Sequence, residues 1–452
     1  MSELVAEGSR FVTKVERIAM GGDAVGTHPS GRVALLNQGY PGETVEAVVT
    51  ESKPRLVRAK VISVREPIVD TEERCAVFGR CGGCRFWGPS YKDELAWKST
   101  AVLEGIRRLD RNLVWPDPRI EAAPRTNGYR LRAKFHLMGR GQTGFLEQGS
   151  HQGVPSTQCA VLMPALDEVR LILGGSAQGL PHESMLHVEW DDQRQAVAAL
   201  VEVPYKALDK AKEWGAELAK QFGSGERIST LKIQTLPDAK GFAKIRERFI
   251  WGDGMVGVHV PLTAHTILVW IPVGSFRQGS RDMSQKLRQE VATLAGAMDA
   301  RALDLYAGYG NFSVVLASMG WEVDAVEGSG PASDAGKLLA SSLRQSGVAQ
   351  VRMFAQDLNE GLPKPVLSRI SEYRLAVVDP PRGGLSRAIV SALSSSSIQR
   401  LIYVSCDPAA MARDAMLLAK AGFGVHSWTL FDTFPRTAHM EAVALFTRAK
   451  PA

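Results

Sequence analysis

The chain has 452 residues, 45% of them hydrophobic, which is enough for two or three domains with buried cores. No apolar run is long enough to span a bilayer, and residues 1–10 lack the basic segment and apolar core of a secretory signal. We expect a cytoplasmic protein with reduced cysteines and no membrane partner, and we expect it to act as a monomer.

The formal net charge of +6 is unevenly distributed along the chain. Residues 51–140 contain 19 lysines and arginines against 11 aspartates and glutamates, a local excess of 8. Such a region suits a polyanion, because cations that neutralise phosphates release condensed counterions. A solvated basic face explains the same count, so charge alone leaves nucleic-acid binding open.

Short alternating strands separated by turn residues run from Phe11 to Arg65. Five such strands predict a small closed β-barrel over residues 1–66. The order of Gly21-Gly22, Gly26 and Pro41-Gly42-Glu43 resembles a TRAM domain, an RNA-binding barrel attached to RNA-modifying enzymes. A generic small barrel is the alternative.

Four of the five cysteines are concentrated in a predicted central domain over residues 67–265. Cys75, Cys81 and Cys84 have the spacing C-x5-C-x2-C, and Cys159 follows far downstream. Four thiolates suit zinc or an iron–sulfur cluster, and their spacing does not decide between the two. Ordinary buried thiols are the alternative, but three cysteines within ten residues favour a metal centre.

A predicted helix over residues 85–110 is followed by a strand with a basic face. From Arg125 to Leu137, basic or polar residues alternate with others, as in a strand that presents charge and aromatic rings to phosphates and bases. An amphipathic strand in an ordinary sheet gives the same pattern. In residues 174–265 the pattern predicts a charged helix over residues 204–222, and we assign no catalytic or binding role to this segment.

From about Met283 the pattern alternates between helices and apolar strands, which predicts a doubly wound α/β domain over residues 266–452. Seven strands are expected: Ala302–Tyr306, Glu322–Val326, Val351–Phe354, Leu375–Val378, Leu401–Ser405, Val425–Leu430 and Ala442–Thr447. Ligands of such sheets bind at the carboxyl ends of the strands.

A cofactor site is predicted after the first two of these strands. Gly308 and Gly310 form a tight turn, and Glu327, 19 residues after Gly308, ends the second strand where an acid can bond ribose hydroxyls. Ser313 replaces the third glycine of the NAD fingerprint. The pattern instead resembles the S-adenosylmethionine site of class I methyltransferases, in which an acid at the position of Asp357 contacts adenine.

Three further segments carry candidate reactive groups: Asp379-Pro-Pro-Arg382, Cys406 at the exit of the fifth strand, and His439-Met-Glu441. Asp-Pro-Pro followed by an aromatic residue binds amines in amino-methyltransferases, and Arg382 argues against that reading. Taken singly, each residue has a purely structural interpretation. Cys406 can be a buried core cysteine, and Glu441 can be a charged residue at the start of an edge strand.

Together these segments resemble the RNA uridine-5-methyltransferases of the TrmA and RumA type. The resemblance implies that Cys406 is a nucleophile and Glu441 a general base. It implies S-adenosyl-L-methionine contacts at Gln278, Tyr306, Asn311, Glu327, Asp357 and Asp379. It also implies a 4Fe-4S cluster at Cys75, Cys81, Cys84 and Cys159, with zinc as the alternative. Asp407 stands where many relatives have asparagine.

The chemistry of carbon 5 of uracil explains these residue types. This carbon is too weakly nucleophilic to attack a sulfonium methyl group, and addition of a thiolate to carbon 6 makes it an enolate that can. A carboxylate must then remove the proton from carbon 5, and Arg382 or Arg413 can lower the pKa of the thiol. The target base must also leave its stack.

We therefore expect methylation of a uridine in RNA. The barrel and the four cysteines favour 23S ribosomal RNA, because the bacterial transfer-RNA enzyme usually lacks both. Transfer RNA is the alternative substrate. A non-catalytic, metal-stabilised RNA-binding assembly factor is the alternative of another class, and the presence of both Cys406 and Glu441 argues against it.

Overall fold

The computed structural model describes residues 4–68, 75–109, 113–222, 226–236, 247–262, 266–297, 300–328, 336–341, 343 and 351–448. The strands are β1 Arg10–Lys14, β2 Arg17–Ile18, β3 Ala24–Thr27, β4 Val33–Leu36, β5 Thr44–Lys53, β6 Leu56–Glu66, β7 Arg119–Glu121, β8 Arg132–Leu137, β9 Thr143–Leu146, β10 Gly153–Pro155, β11 Met185–Asp191, β12 Ala196–Val203, β13 Ile228–Thr235, β14 Glu247–Trp251, β15 Met255–Pro261, β16 Thr266–Pro272, β17 Arg301–Leu305, β18 Glu322–Glu327, β19 Val351–Ala355, β20 Tyr373–Val378, β21 Arg400–Ser405, β22 Gly424–Phe431 and β23 Glu441–Thr447. The helices are α1 Tyr91–Leu109, α2 Pro164–Ser176, α3 Leu208–Phe222, α4 Arg281–Ala295, α5 Ser313–Ser318, α6 Lys364–Leu367, α7 Arg387–Ser394 and α8 Pro408–Lys420. Within these ranges, no helix has the length and apolar character needed to cross a bilayer.

The N-terminal strands form one six-stranded sheet in the order β1-β5-β6-β4-β3-β2, one strand more than predicted. Alternate residues of β5, among them Val45, Ala47 and Val49, are buried, as expected for a strand with one face on the core and one face in solvent. The sheet is curled, so strands from its two ends meet: Thr13 of β1 donates its hydroxyl to the carbonyl oxygen of Thr27 on β3 at 2.9 Å.

The central part of the chain contains a seven-stranded sheet in the order β10-β9-β8-β11-β12-β13-β14. In β8 the apolar residues Ala133, Phe135 and Leu137 are buried, and the basic residues between them are on the opposite face, as predicted. Helix α3 begins after a short 3-10 turn over Tyr205–Ala207, slightly later than the predicted start at residue 204. Strands β15 and β16 pair separately.

The C-terminal sheet has the order β19-β18-β17-β20-β21-β23-β22-β7. All seven strands predicted here are present, with ends that differ by one or two residues. Strands β17 to β21 are mutually parallel, and β23 enters antiparallel beside β21. This topology puts the carboxyl ends of β17, β18, β20 and β21 at one edge of the sheet.

The eighth strand, β7, comes from the basic N-terminal region and pairs in parallel with β22. Helix α1 also packs on this sheet, where its residues Val102 and Ile106 share a core with Tyr403 and Phe446. The indole of Trp428 donates to the carbonyl oxygen of Pro116 at 2.6 Å. The packing of α1 and β7 therefore crosses the predicted boundary at residue 266, and the three domain ranges stay a prediction.

Candidate active site

The strand β21 carries Cys406 at its exit. Residues Leu401–Val404 are fully buried, and the chain leaves the sheet through Ser405, whose hydroxyl donates to the Asp407 carbonyl oxygen at 2.8 Å. The Asp407 carboxylate then accepts hydrogen bonds from the N–H groups of Ala409 and Ala410, at 3.0 and 3.3 Å, and so caps α8. Aspartate thus supplies the cap that asparagine also provides, and Cys406 is held between strand and helix.

The half-buried Cys406 thiol is surrounded by charge. Burial is the largest cause that raises its pKa, and the carboxyl groups of Glu441 and Asp379 raise it further, whereas the Arg382 guanidinium opposes them. The pairing of β21 with β23 sets Ser405 opposite Ala442, so the chain leaves β21 at Cys406 beside Glu441, and the charge of Asp379 also reaches the thiol. In the free protein the group is a thiol at neutral pH.

Glu441 opens β23 and is 2% exposed. Its Oε1 accepts a hydrogen bond from the Gln278 amide at 3.0 Å, and the Thr433 hydroxyl lies close enough to lower the pKa of the carboxyl, although Oε2 completes no hydrogen bond of ordinary geometry among the described residues. Burial raises the pKa of this carboxyl to about 7, against an ordinary value of 4.5. Glu441 can therefore both hold and release a proton near neutral pH.

Two further acids face the same edge of the sheet. Burial and the charges of Glu441, Asp304 and Glu327 raise the pKa of Asp379 well above its usual range. Asp304 is fully buried, and burial raises its pKa to about 7, although it accepts a hydrogen bond from the Ser313 hydroxyl at 2.5 Å. This concentration of carboxyl groups suits a cationic ligand. We did not predict Asp304 as a site residue, although it stands two residues before Tyr306.

The glycine turn after β17 contacts the end of β18. Tyr306 has a left-handed backbone with φ of 60°, and the N–H of Gly308 donates to Glu327 Oε2 at 2.7 Å. Asn311 is buried, and its Oδ1 accepts hydrogen bonds from Arg288 and Tyr309 at 2.9 and 3.0 Å. The glycine turn after β17 and the end of β18 therefore adjoin at the carboxyl edge of the sheet.

Asp357, after β19, is exposed and caps its own loop by accepting from the Asn359 N–H at 2.8 Å. Gln278 is instead bonded to Glu441. The six cofactor contacts stay predictions, as do the roles of Cys406 and Glu441.

Cys75, Cys81, Cys84 and Cys159 line one largely apolar cavity and form no disulfides. Burial and the neighbouring thiols raise the pKa of Cys84 to about 12, whereas the indole of Trp87 favours its thiolate. Among the described residues, no set of three His, Cys, Asp or Glu side chains is arranged to hold a metal ion. The four soft donors nonetheless share one cavity, where the Gly83 N–H already donates to the Cys81 sulfur at 3.4 Å.

Sequence reasoning missed a buried ionic network that holds residues 432–440, which we call the catalytic loop because they lead into Glu441. Lys98 of α1 donates to Asp432 at 2.6 Å and to the Phe434 carbonyl oxygen at 3.2 Å, and lies 3.6 Å from Glu94. The three charged side chains are at most 1% exposed. The spacing of Glu94 and Lys98 on one helix was visible in the sequence, but their partner, more than 300 residues away, was not.

Comparison with known proteins gives the family. Residues 91–449 match the family model described as tRNA (Uracil-5-)-methyltransferase. The chain belongs to this family of RNA uracil-5-methyltransferases. The candidate active site of this methyltransferase is the edge of the C-terminal sheet that carries Cys406 and the buried acids.

Relatives and one solved structure agree with this assignment. The chain is 30% identical to the 23S rRNA (uracil(1939)-C(5))-methyltransferase RlmD of Chromohalobacter salexigens over 97% of this chain and 89% of the relative. It is 30% identical to the RlmD of Methylococcus capsulatus over 96% of each chain. The Pyrococcus abyssi tRNA (uracil-54, C5)-methyltransferase, solved with S-adenosyl-L-homocysteine, superposes with a TM-score of 0.69 at 18% identity, covering 96% of this chain and 100% of that chain. This likeness supports the class I methyltransferase fold.

Replacement of Arg382 by alanine should make the Cys406 thiol of this enzyme harder to ionise. The Arg382 guanidinium lowers the pKa of Cys406, whereas burial and the carboxyl groups of Glu441, Asp379 and Asp407 raise it, so loss of Arg382 moves this pKa further upward. The measurement is the rate of iodoacetamide alkylation of the Cys406 peptide as a function of pH. Arg382→Lys should retain most of the effect, and an unchanged midpoint in Arg382→Ala would contradict the assignment.

Proposed function

We propose that this methyltransferase methylates carbon 5 of a uridine in 23S ribosomal RNA, with S-adenosyl-L-methionine as methyl donor, through a covalent adduct on Cys406. The observation that carries the mechanism is the pairing of β21 with β23, which sets Ser405 opposite Ala442 and so puts Cys406 beside the buried Glu441 carboxyl at the edge of the sheet. The ribosomal substrate is supported by the full-length relatives named for it. Transfer RNA is the alternative, in line with the description of the family model.

The proposed reaction uses two groups of the chain. Cys406 first loses its proton to solvent, which the Arg382 guanidinium favours, and the resulting thiolate adds to carbon 6 of the uracil, so that the electrons move to carbon 5 and the carbonyl oxygen at carbon 4. S-adenosyl-L-methionine supplies the methyl group that carbon 5 takes up. Glu441, as carboxylate, then removes the proton from carbon 5, and the returning electrons expel the Cys406 thiolate. The base and the nucleophile are both regenerated when Glu441 passes its proton to solvent.

The raised pKa of Glu441 fits this role. A carboxyl group with a pKa of about 7 is a stronger base than an exposed one, and the hydrogen bond from Gln278 fixes its orientation. For the methyl donor, we assign the bonds to the ribose hydroxyls to Glu327 at the end of β18, and further contacts to Tyr306 and Asn311 in the turn whose Gly308 N–H donates to Glu327. The surrounding acids favour a positively charged sulfonium.

The RNA is proposed to lie across a basic cavity next to this site. Arg130, Arg132 and Lys134 line it, and the Phe276 ring, 70% exposed, stands 5.6 Å from the Arg132 guanidinium. Cations and an exposed ring suit the phosphates and bases of single-stranded RNA. Gly279 also lines this cavity, and its neighbour Gln278 is the residue that donates to Glu441, so the cavity adjoins the segment that orients the proposed base. The curled N-terminal sheet is proposed to be a TRAM-like RNA-binding barrel.

The four cysteines are proposed to hold a 4Fe-4S cluster, with zinc as the alternative. Support comes from the shared apolar cavity, the four soft donors and the nearby N–H groups. Protein purified anaerobically should absorb visible light and contain iron and sulfide. A colourless protein that contains zinc would overturn the cluster.

The catalytic proposal is tested with RNA that contains 5-fluorouridine. Fluorine cannot be removed as a proton, so the wild-type enzyme should form an adduct with the RNA that survives denaturing electrophoresis. Cys406→Ala should form none and should lose essentially all methyl transfer, about 10⁴-fold or more, because carbon 5 is no longer activated. Absence of an adduct with the wild-type enzyme, although it methylates ordinary RNA, would refute the covalent mechanism.

A further inference from the structure

Trp87 lies three residues after Cys84, on the wall of the cysteine cavity. Its side chain is buried, at 7% exposure, and its indole Nε1 faces the Cys84 sulfur closely enough to favour the thiolate, but it completes no hydrogen bond of ordinary geometry among the described residues. A buried N–H without an acceptor costs free energy, so native proteins rarely retain one unless an unseen group accepts it. The indole shares the cavity with four thiols, and sulfur ligands of a metal centre commonly accept such bonds.

The ring of Trp87 contacts the catalytic loop. The Arg436 guanidinium stands 4.9 Å from the centre of the ring, a distance typical of a cation–π contact. The carbonyl oxygen of Arg436 accepts the N–H groups of Arg85 and Phe86 at 2.6 and 3.0 Å. Arg436 has a left-handed backbone with φ of 68°. The segment after Cys84 therefore holds an Arg436 conformation that is strained for a residue with a side chain.

The same loop determines where Glu441 stands. Two residues before Arg436, the Phe434 ring packs on Gly279, where an added Cβ would lie 3.0 Å from the ring. Gly279 follows Gln278, which donates to Glu441. A shift of the catalytic loop would thus move both the base and the amide that orients it.

We propose that Trp87 is a positioning residue that joins the four-cysteine centre to the catalytic loop. Its indole N–H donates to a sulfur of the occupied centre, and its ring holds Arg436. The metal content of the centre thereby sets the position of Glu441. This inference rests on the proposed metal centre and on the proposed role of Glu441.

The first test measures amide hydrogen exchange of the wild-type full chain before and after metal removal with EDTA and ferricyanide. Removal should speed exchange in residues 85–87 and 432–441 about tenfold or more, while β17 and β18 stay protected. Unchanged exchange in the catalytic loop of the metal-free protein would overturn the coupling between the four-cysteine centre and this loop. It would not contradict the metal centre itself. A wild-type protein with neither iron nor zinc would overturn the centre, and this inference with it.

The second test isolates the indole N–H. Trp87→Phe keeps the ring over Arg436 but removes the donor, and Trp115→Phe is its matched control. The Trp115 indole nitrogen is likewise buried with no acceptor among the described residues, but it packs against Trp428, away from the cysteines. Trp87→Phe should release its metal to a chelator about tenfold faster than wild type, a usual effect of losing an outer-shell hydrogen bond, and Trp115→Phe should release it at the wild-type rate. Equal rates for the two variants would overturn the donation to the centre.

A third variant separates the ring from the donor. Trp87→Leu, in its metal-loaded form, should show the faster catalytic-loop exchange that the metal-loaded Trp87→Phe does not. If metal-loaded Trp87→Leu exchanges like wild type in residues 432–441, the ring does not hold the loop and the proposal fails.

Discussion

Glu441→Gln should trap the enzyme on ordinary uridine-containing RNA. Cys406 can still add to carbon 6 and carbon 5 can still take up the methyl group, but an amide cannot remove the proton that must leave. The product of methyl transfer therefore stays bonded to Cys406, and turnover falls about 10²- to 10⁴-fold. The measurement is a denaturing gel of labelled RNA with enzyme and S-adenosyl-L-methionine, together with methyl-label counting of the adduct.

The control for this trap is the double variant Cys406→Ala, Glu441→Gln. It should form no adduct, which separates a covalent bond from tight binding. Glutamine is close in shape to glutamate, and the Gln278 amide still finds an acceptor at this position, so the site should stay intact. Normal turnover of Glu441→Gln would rule out Glu441 as the base, and an adduct without the methyl label would place the block before methyl transfer.

The same substitution should change how stability depends on pH. Burial raises the pKa of Glu441 from 4.5 to about 7, so the folded protein binds a proton that the unfolded chain releases between these values. Wild-type stability should therefore fall as pH rises through this range, by about 3 kcal/mol at most, at ~1.4 kcal/mol per pKa unit. Glu441→Gln should unfold at a higher temperature than wild type near pH 8, and at nearly the same temperature near pH 4.5. No difference at about pH 8 would show that the carboxylate is not destabilised by burial.

The C-terminal sheet was predictable because its signals are local. Each buried strand is a short apolar run, and each run ends in a polar residue that must lie at the carboxyl edge, as with Glu327, Asp379 and Cys406. Strand β7 was not predictable. Its three residues, Arg119–Glu121, show no alternation, and they become a strand only because the edge of β22 is free to pair with them.

The candidate site was predictable in its residue types but not in its environment. The sequence orders Cys406, Asp379 and Glu441, but it does not show that burial raises the pKa of each. Those shifts depend on which groups share a low-dielectric space, and that follows only from the packing of distant segments. The bond from Gln278 to Glu441 is another example, because it joins residues 163 positions apart.

Lys98→Met should destabilise the protein by about 3–5 kcal/mol, the usual cost of removing one partner from a buried ion pair. Lys98 lies between Glu94 and Asp432, and all three side chains are at most 1% exposed. Methionine fills a similar volume but leaves two carboxylates without their ammonium partner, and Arg436 neutralises only Glu94. The measurement is urea unfolding followed by tryptophan fluorescence.

The matched control is Lys92→Met on the same helix, which removes an exposed ammonium group and should change stability by about 0.5 kcal/mol or less. Catalysis separates a global from a local role of Lys98. Because Lys98 also donates to the Phe434 carbonyl oxygen, its loss frees the catalytic loop even where the protein stays folded. Folded Lys98→Met should therefore form the 5-fluorouridine adduct more slowly than Lys92→Met, although it binds S-adenosyl-L-homocysteine equally well. Equal adduct rates would show that the network stabilises the fold without positioning Glu441.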